Sequence, residues 1–186
     1  MKQLGRMDYI PAKPVWYKGV HYKSTTEARW AVFFEYMGIK SIYEPSKFIL
    51  DYNIEYHPDF LITNVNWRGG GNFYVEVKGA SRYMDVSQKE RAKIELFSRQ
   101  CPVLVLGNLI NDPWDAYTDD ELFSFYFMDG DYYPAFFSKH KGELWLCGFN
   151  HAEFDEETTK VALAIAKMAK FSEVNDFNTL TEVSND

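Results

Sequence analysis

Residues 55–79, EYHPDFLITNVNWRGGGNFYVEVKG, contain two apolar runs that each break their own pattern with charge. His57-Pro58-Asp59-Phe60-Leu61-Ile62 sets one acid in an apolar segment, and Phe73-Tyr74-Val75-Glu76-Val77-Lys78-Gly79 sets an acid and a lysine in another. Strand side chains alternate faces, so Val75 and Val77 can enter a core while Glu76 and Lys78 project together on the other side. Between the runs, Asn64 to Asn72 carries three glycines and reads as the turn. If the runs pair as a hairpin with Ile62 to Thr63 near Asn72 to Phe73, Asp59 falls opposite or diagonal to Glu76, within about 5 to 8 Å.

Upstream, Ser24-Thr25-Thr26-Glu27 offers hydroxyl caps and an acid in the first turn, Trp30, Val32, Phe33, Phe34 and Met37 follow at helical spacing, and Gly38 supplies a stop. A helix is expected from about Thr26 to Met37. Ser41 to Tyr43, Lys47 to Asp51, Glu55 to Thr63 and Phe73 to Lys78 read as consecutive strands of a meander. Downstream, a surface helix from about Val86 to Gln100 leads into Pro102-Val-Leu-Val-Leu-Gly107, a buried strand. The order helix, three or four strands, helix, strand makes an α/β chain with a mixed β-sheet and helices packed on it.

Beyond Asn111, the segments Leu122 to Met128, Tyr132 to Ser138 and Glu143 to Phe149 alternate around Asp129-Gly130 and Lys141-Gly142 and should form an antiparallel extension. A final amphipathic helix is expected over about Glu156 to Phe171, acidic at its start and basic near its end. Three parts are expected: a core with its lead-in over 1–110, strands and a helix packed on it over 111–172, and a polar, flexible tail over 173–186.

Composition narrows the class. The chain has 186 residues, 46% hydrophobic and 18% aromatic, enough to bury a full core and to exclude disorder for most of its length. No stretch approaches the roughly 20 consecutive apolar residues of a membrane span, and MKQLGRMDYIPAK has no apolar run of signal-peptide type, so a soluble, cytoplasmic protein without a membrane partner is expected. Cys101 and Cys147 make neither a disulfide framework nor paired zinc spacing, and the four histidines show no ligand spacing. The net charge of −7 argues against non-specific coating of phosphates. Its distribution is uneven, however: residues 1–100 hold 15 Lys and Arg against 11 Asp and Glu, and residues 101–186 hold 5 against 16. Work on a polyanion belongs to the first half, while the acidic second half suits self-association or a protein partner.

Two carboxylates at hairpin distance repel unless a proton or cation sits between them, and hard oxygen ligands with open positions suit Mg²⁺. A divalent ion so held can activate a water and neutralise charge on a phosphate. Lys78 beside it can orient that water or offset charge in the transition state, and could act as a base only with its pKa lowered by burial and the cation. Glu27 adds a third carboxylate if its helix packs across the sheet.

Thr26-Glu-Ala-Arg-Trp30, Tyr43-Glu-Pro45, Pro58-Asp59 and Glu76-Val-Lys78 together resemble the PD-(D/E)XK nuclease superfamily, in the branch where a helix Glu precedes the strand motif. The likeness covers about Tyr17 to Gly107. It implies an αβββαβ restriction-endonuclease-like core, Mg²⁺ with Mn²⁺ as substitute, and hydrolysis of phosphodiester bonds in DNA. It further implies Asp59 and Glu76 as metal ligands, Lys78 as the catalytic lysine, and Glu27 as the helix acid and further ligand. Size and the lack of a recognisable specificity domain fit a phage or mobile-element type, acting in the cytoplasm of a bacterial host. Recombination, repair, junction resolution and restriction remain open.

Lys23, Arg29, Arg68, Lys89 and Lys93 are candidate nucleic-acid contacts, with Gln88 on the same helix as Lys89 and Lys93. Trp67-Arg68 reads equally as a stacking and phosphate-contacting finger or as a flexible hairpin tip. His57 shares the face of Asp59 and reads as a plain strand histidine. Two other functions stand beside the nuclease: a partner-dependent transposition-type nuclease subunit, and a non-catalytic binding module on the same fold.

Overall fold

A serine cap and a glycine stop bound the first helix. In the computed structural model, which describes residues 12–80, 83–108, 124–128, 131–147 and 155–173, α1 (Thr25–Met37) starts where Ser24 Oγ accepts the Glu27 N–H at 3.1 Å. It ends at Gly38, whose φ of 77° lets the chain reverse with its N–H on Glu35 O and the Ile39 N–H on Phe34 O. Ala28, Trp30, Ala31, Val32, Phe33, Phe34 and Met37 are all buried. A helix apolar on so many sides must be covered on more than one face, and α1 shares one core with strand residues Phe60, Ile62, Phe73, Val75 and Val77 and with Ala162, Leu163 and Ala166 of α3 (Glu156–Met168).

The main sheet is mixed and six-stranded, in the order β10 (Asp131–Pro134), β9 (Ser124–Met128), β8 (Val103–Leu106), β7 (Phe73–Val77), β6 (Phe60–Ile62), β3 (Ser41–Tyr43). Among its described strands only β7 and β8 run parallel, joined by a crossover through α2 (Gln88–Ser98). The β6–β7 register is the one expected: Ile62 faces Phe73, Leu61 faces Tyr74 and Phe60 faces Val75. Phe73, Val75 and Val77 face the α1 core, whereas Tyr74 packs with Phe97 and Ile94 of α2.

The meander is not continuous. The sequence reads Lys47 to Asp51 and Glu55 to Thr63 as sheet strands, but among the described residues β4 (Phe48–Leu50) and β5 (Ile54–Tyr56) pair only with each other, and the third run breaks at His57-Pro58-Asp59 before β6 starts. Pro58 has no N–H to give a ladder, so a single strand from 55 to 63 is closed to it. The β4–β5 hairpin instead packs on α2: Phe48 meets Tyr74 and Phe97 at 5.2 and 4.9 Å between ring centres, and Tyr56 meets Phe97 at 4.5 Å.

The lead-in also carries structure: β1 (Val15–Tyr17) and β2 (Val20–Tyr22) form a hairpin around Lys18 and Gly19, at φ 49° and 78°. β13 (Ser172–Glu173) pairs with β1, so the first residue of the expected tail, Glu173, belongs to a strand; the rest of 173–186 lies outside the described residues. In the antiparallel extension, Tyr132 to Ser138 divides at Ala135, with β10 on β9 and β11 (Phe136–His140) on β12 (Glu143–Cys147). Among the described residues, no helix is long and apolar enough to cross a membrane.

Candidate active site

The β6–β7 register, carried one residue outward from Phe60 and Val75, sets Asp59 opposite Glu76 at one end of the sheet. Asp59 lies just before β6, so no strand continues there to take the N–H of Val77. The Asp59 side chain does so instead, its Oδ2 accepting at 2.7 Å. On its other side, the Asp59 carbonyl accepts the Glu44 N–H at 2.8 Å. Glu44 holds left-handed backbone at φ 45°, uncommon for a residue with a side chain, so the Tyr43-Glu-Pro45 turn is shaped around Asp59.

Glu76 is buried, with two partners of opposite kind. Tyr56 of β5 donates its phenol to Oε2 at 2.8 Å, and Lys78 Nζ lies 2.6 Å from Oε1. Lys78 also donates to Oε2 of Glu90, in the first turn of α2, at 2.8 Å. Thus Glu76 and Lys78 share the face expected of them, and α2 covers it.

Glu27 reaches the same end of the sheet from α1. It is buried, and its carboxylate accepts the Ser24 hydroxyl at 2.7 Å, the Tyr43 hydroxyl at 2.5 Å and the Lys23 N–H at 3.2 Å. Ser24 and Glu27 thereby brace the start of α1 from both sides, the glutamate taking the N–H of Lys23 just before the cap. Trp30, one turn on, donates its indole N–H to Gly107 O at 2.9 Å, tying α1 to the chain just past β8.

Electrostatics set these groups apart. Burial pushes the Asp59 carboxyl well above the usual carboxylate range, and repulsion from Glu76 and Glu27 adds to it against the Val77 N–H and the Lys78 charge. Burial also raises Glu76, although Lys78 and Tyr56 pull it back. For Lys78, burial alone favours the neutral amine, but Glu76 and Glu90 outweigh it and the pKa is raised. Without a bound cation the lysine is therefore held charged between the two carboxylates. Burial raises both tyrosines well above 10, with Glu76 adding at Tyr56 and Glu27 adding at Tyr43.

Of the expected nucleic-acid contacts, Lys23 pairs with Glu44 and feels Asp59 and Glu27. Arg29 is half-buried, with an Nε that has no hydrogen-bond partner among the described residues. Lys93 lies 3.6 Å from Glu90, and Lys89 is exposed on the first turn of α2. Arg68 is exposed at the turn joining β6 and β7, the opposite end of that pair from Asp59 and Glu76, so the structure does not bring it to the site. Trp67 beside it has partners within the chain. Its indole donates to Gly71 O at 2.9 Å and meets Phe73 edge-on at 6.0 Å, while Asn66 exchanges backbone hydrogen bonds with Leu144 and Leu146. Gly69 lies so close beneath the Trp67 ring that an added Cβ would come within 1.9 Å of it.

Sequence reasoning missed Tyr56, Tyr43 as a donor, and Glu90. Ser87-x-x-Glu90 reads as an ordinary capping box, and only the crossover brings its acid to Lys78. Cys101 and Cys147 are free thiols, and burial pushes both up, Cys147 to about 12. Among the described residues, no three His, Cys, Asp or Glu side chains are grouped so as to hold a metal ion; each of the three site carboxylates already accepts from the chain's own donors. No family model, no curated protein and no solved structure matches the chain.

Proposed function

We propose that the chain is a divalent-metal-dependent nuclease hydrolysing phosphodiester bonds in DNA, of the PD-(D/E)XK kind, with an αβββαβ restriction-endonuclease-like core. The observation that carries this reading is the placement of Asp59 opposite Glu76 at one end of the sheet, with the Lys78 ammonium on Glu76. Asp59 and Glu76 are hard oxygen donors whose burial raises their affinity for a proton, Asp59 further through repulsion from Glu76, and a cation relieves that repulsion. They would hold Mg²⁺ or Mn²⁺, with Glu27 the third acid within electrostatic reach of Asp59.

When bound, such an ion supplies an activated water and neutralises charge on the phosphate. The chain's residues supply the rest. Lys78 stays charged and offsets negative charge building on the phosphate oxygens. Tyr56 keeps Oε2 of Glu76 in place. The Val77 N–H, together with the Glu44 N–H on the Asp59 carbonyl, fixes Asp59 at the head of β6.

The test is cleavage of linear, circular, single-stranded and branched DNA, and of RNA, with Mg²⁺, Mn²⁺ or EDTA, alongside Asp59→Asn and Lys78→Ala. The expected result is metal-dependent cleavage of DNA that both substitutions abolish; cleavage that survives either substitution refutes the assignment.

A second reading is favoured by the internal satisfaction of all three carboxylates, each of which accepts from the chain's own donors. In it the chain is a non-catalytic binding module on the same fold. Its signature is the absence of both cleavage and calorimetric Mn²⁺ binding, whereas Mn²⁺ binding without cleavage marks a partner-dependent, transposition-type subunit.

A further inference from the structure

Lys78 has carboxylate partners on two different elements. Glu76 lies two residues before it on β7, with Oε1 at 2.6 Å, and Glu90 reaches it from α2, with Oε2 at 2.8 Å. Glu90 is itself fixed: its N–H donates to Ser87 Oγ at 3.2 Å, and Lys93 Nζ lies 3.6 Å from its Oε1. Four charges of alternating sign, Glu76, Lys78, Glu90 and Lys93, thus run from the strand onto the helix.

We propose that Glu90 is a positioning residue for Lys78, the acceptor that keeps the ammonium in place when Glu76 engages a cation. This rests on the nuclease reading of Asp59, Glu76 and Lys78. A lysine whose only acceptor was Glu76 would compete with a divalent ion for the same oxygen, and releasing it would strand a charge that is only 17% exposed. With Glu90 in place, Glu76 Oε1 can turn away and Lys78 keeps a charge-assisted hydrogen bond. Glu90 is the more exposed acid, at 39% against 8% for Glu76, so its ionised form costs less to maintain. Lys93 steadies it from the next turn.

The experiment measures Mn²⁺ affinity calorimetrically in the full chain, in Glu90→Gln, in Lys78→Met and in the double variant. Glu90→Gln should weaken Mn²⁺ binding about fivefold, because Lys78 then clings to Glu76, and should lower kcat with the KM for DNA little changed. In the Lys78→Met background the same substitution should leave the affinity unchanged, since Glu90 acts through the lysine. An equal loss in both backgrounds, or none in the chain with Lys78, overturns the proposal.

A second arm needs no cation. In Glu76→Gln, NMR should show scalar coupling across the hydrogen bond from Lys78 Nζ to the Glu90 carboxyl carbon. Its absence overturns the role of Glu90 even if the site binds nothing. If no Mn²⁺ binds and this coupling is present, the nuclease reading fails while the positioning of Lys78 by Glu90 stands.

Discussion

Asp59 Oδ2 accepts the backbone N–H of Val77 at 2.7 Å, so one carboxylate both closes the end of the β6–β7 ladder and stands opposite Glu76. The two duties separate by substitution. Asparagine keeps an acceptor for Val77 but removes the charge, whereas alanine removes both. Asp59→Asn should abolish cleavage and raise the melting temperature of the metal-free protein at pH 7; Asp59→Ala should abolish cleavage and lower it, by the equivalent of about 1–2 kcal/mol. Equal melting temperatures for the two variants would show that the Val77 contact contributes nothing.

The same acid sets a pH dependence. Its folded-state pKa lies above the unfolded value of about 3.9. Between those two values the folded form binds more protons, so stability falls as pH climbs through the window. The gain from Asp59→Asn should therefore be small at pH 4 and grow toward pH 7. Thermal melts of both proteins across this range, without divalent ions, check it, and a gain independent of pH would contradict the raised carboxyl.

Tyr56→Phe removes the phenol that donates to Glu76 Oε2 at 2.8 Å and keeps the ring that packs on Phe97. A buried acceptor left short of a donor costs about 1–3 kcal/mol, and the variant should lose stability in that range with its fold intact. Denaturant titration measures the loss. An unchanged midpoint would mean that Glu76 does not depend on the phenol.

Lys78→Met leaves Glu76 buried without its ion pair. The acid responds by taking up a proton, so the penalty depends on pH. Folded Glu76, already raised in the parent, then titrates still higher, and relative to the parent the variant should lose stability as pH climbs past the parent's own raised value, by at most roughly 1.4 kcal/mol per pH unit. Melting curves at pH 4, 6 and 8 test this, and an equal loss at all three would assign Lys78 a packing role.

Ending the chain at Phe171 removes β13 and its pairing with Val15 and Trp16. Stability should fall by about 1–2 kcal/mol, with cleavage at 25 °C retained, because β2 still pairs with β1. An unaltered melting temperature would show that the β1–β13 ladder is idle.

What was legible in the sequence had local causes. Ser24 and Gly38 mark α1 because caps act within one turn, and the alternation of Phe73 to Lys78, with the glycines before it, was enough to give the register that faces Asp59 with Glu76. What was not legible depends on partners chosen in three dimensions. The β4–β5 hairpin turns at Tyr52 and Asn53, which take φ of 62° and 57° without a glycine to announce it. β1 and β2 are three residues each, too short for a periodic signal. Glu90 looks like half of a helix cap until α2 lies over β7, and Arg68 sits close to the motif in sequence yet at the wrong end of the strand pair.

Both helices that feed this end of the sheet begin with the pattern Ser-x-x-Glu, Ser24 with Glu27 and Ser87 with Glu90, and in each the serine oxygen accepts the glutamate N–H. The usual routes to a hardier variant, re-engineering helix starts and first-turn charges, therefore run through atoms that also hold Lys78 and border Asp59. Thermostabilising this chain without blunting it means leaving those two helix starts alone and working at other surfaces, such as the exposed Met168 that ends α3.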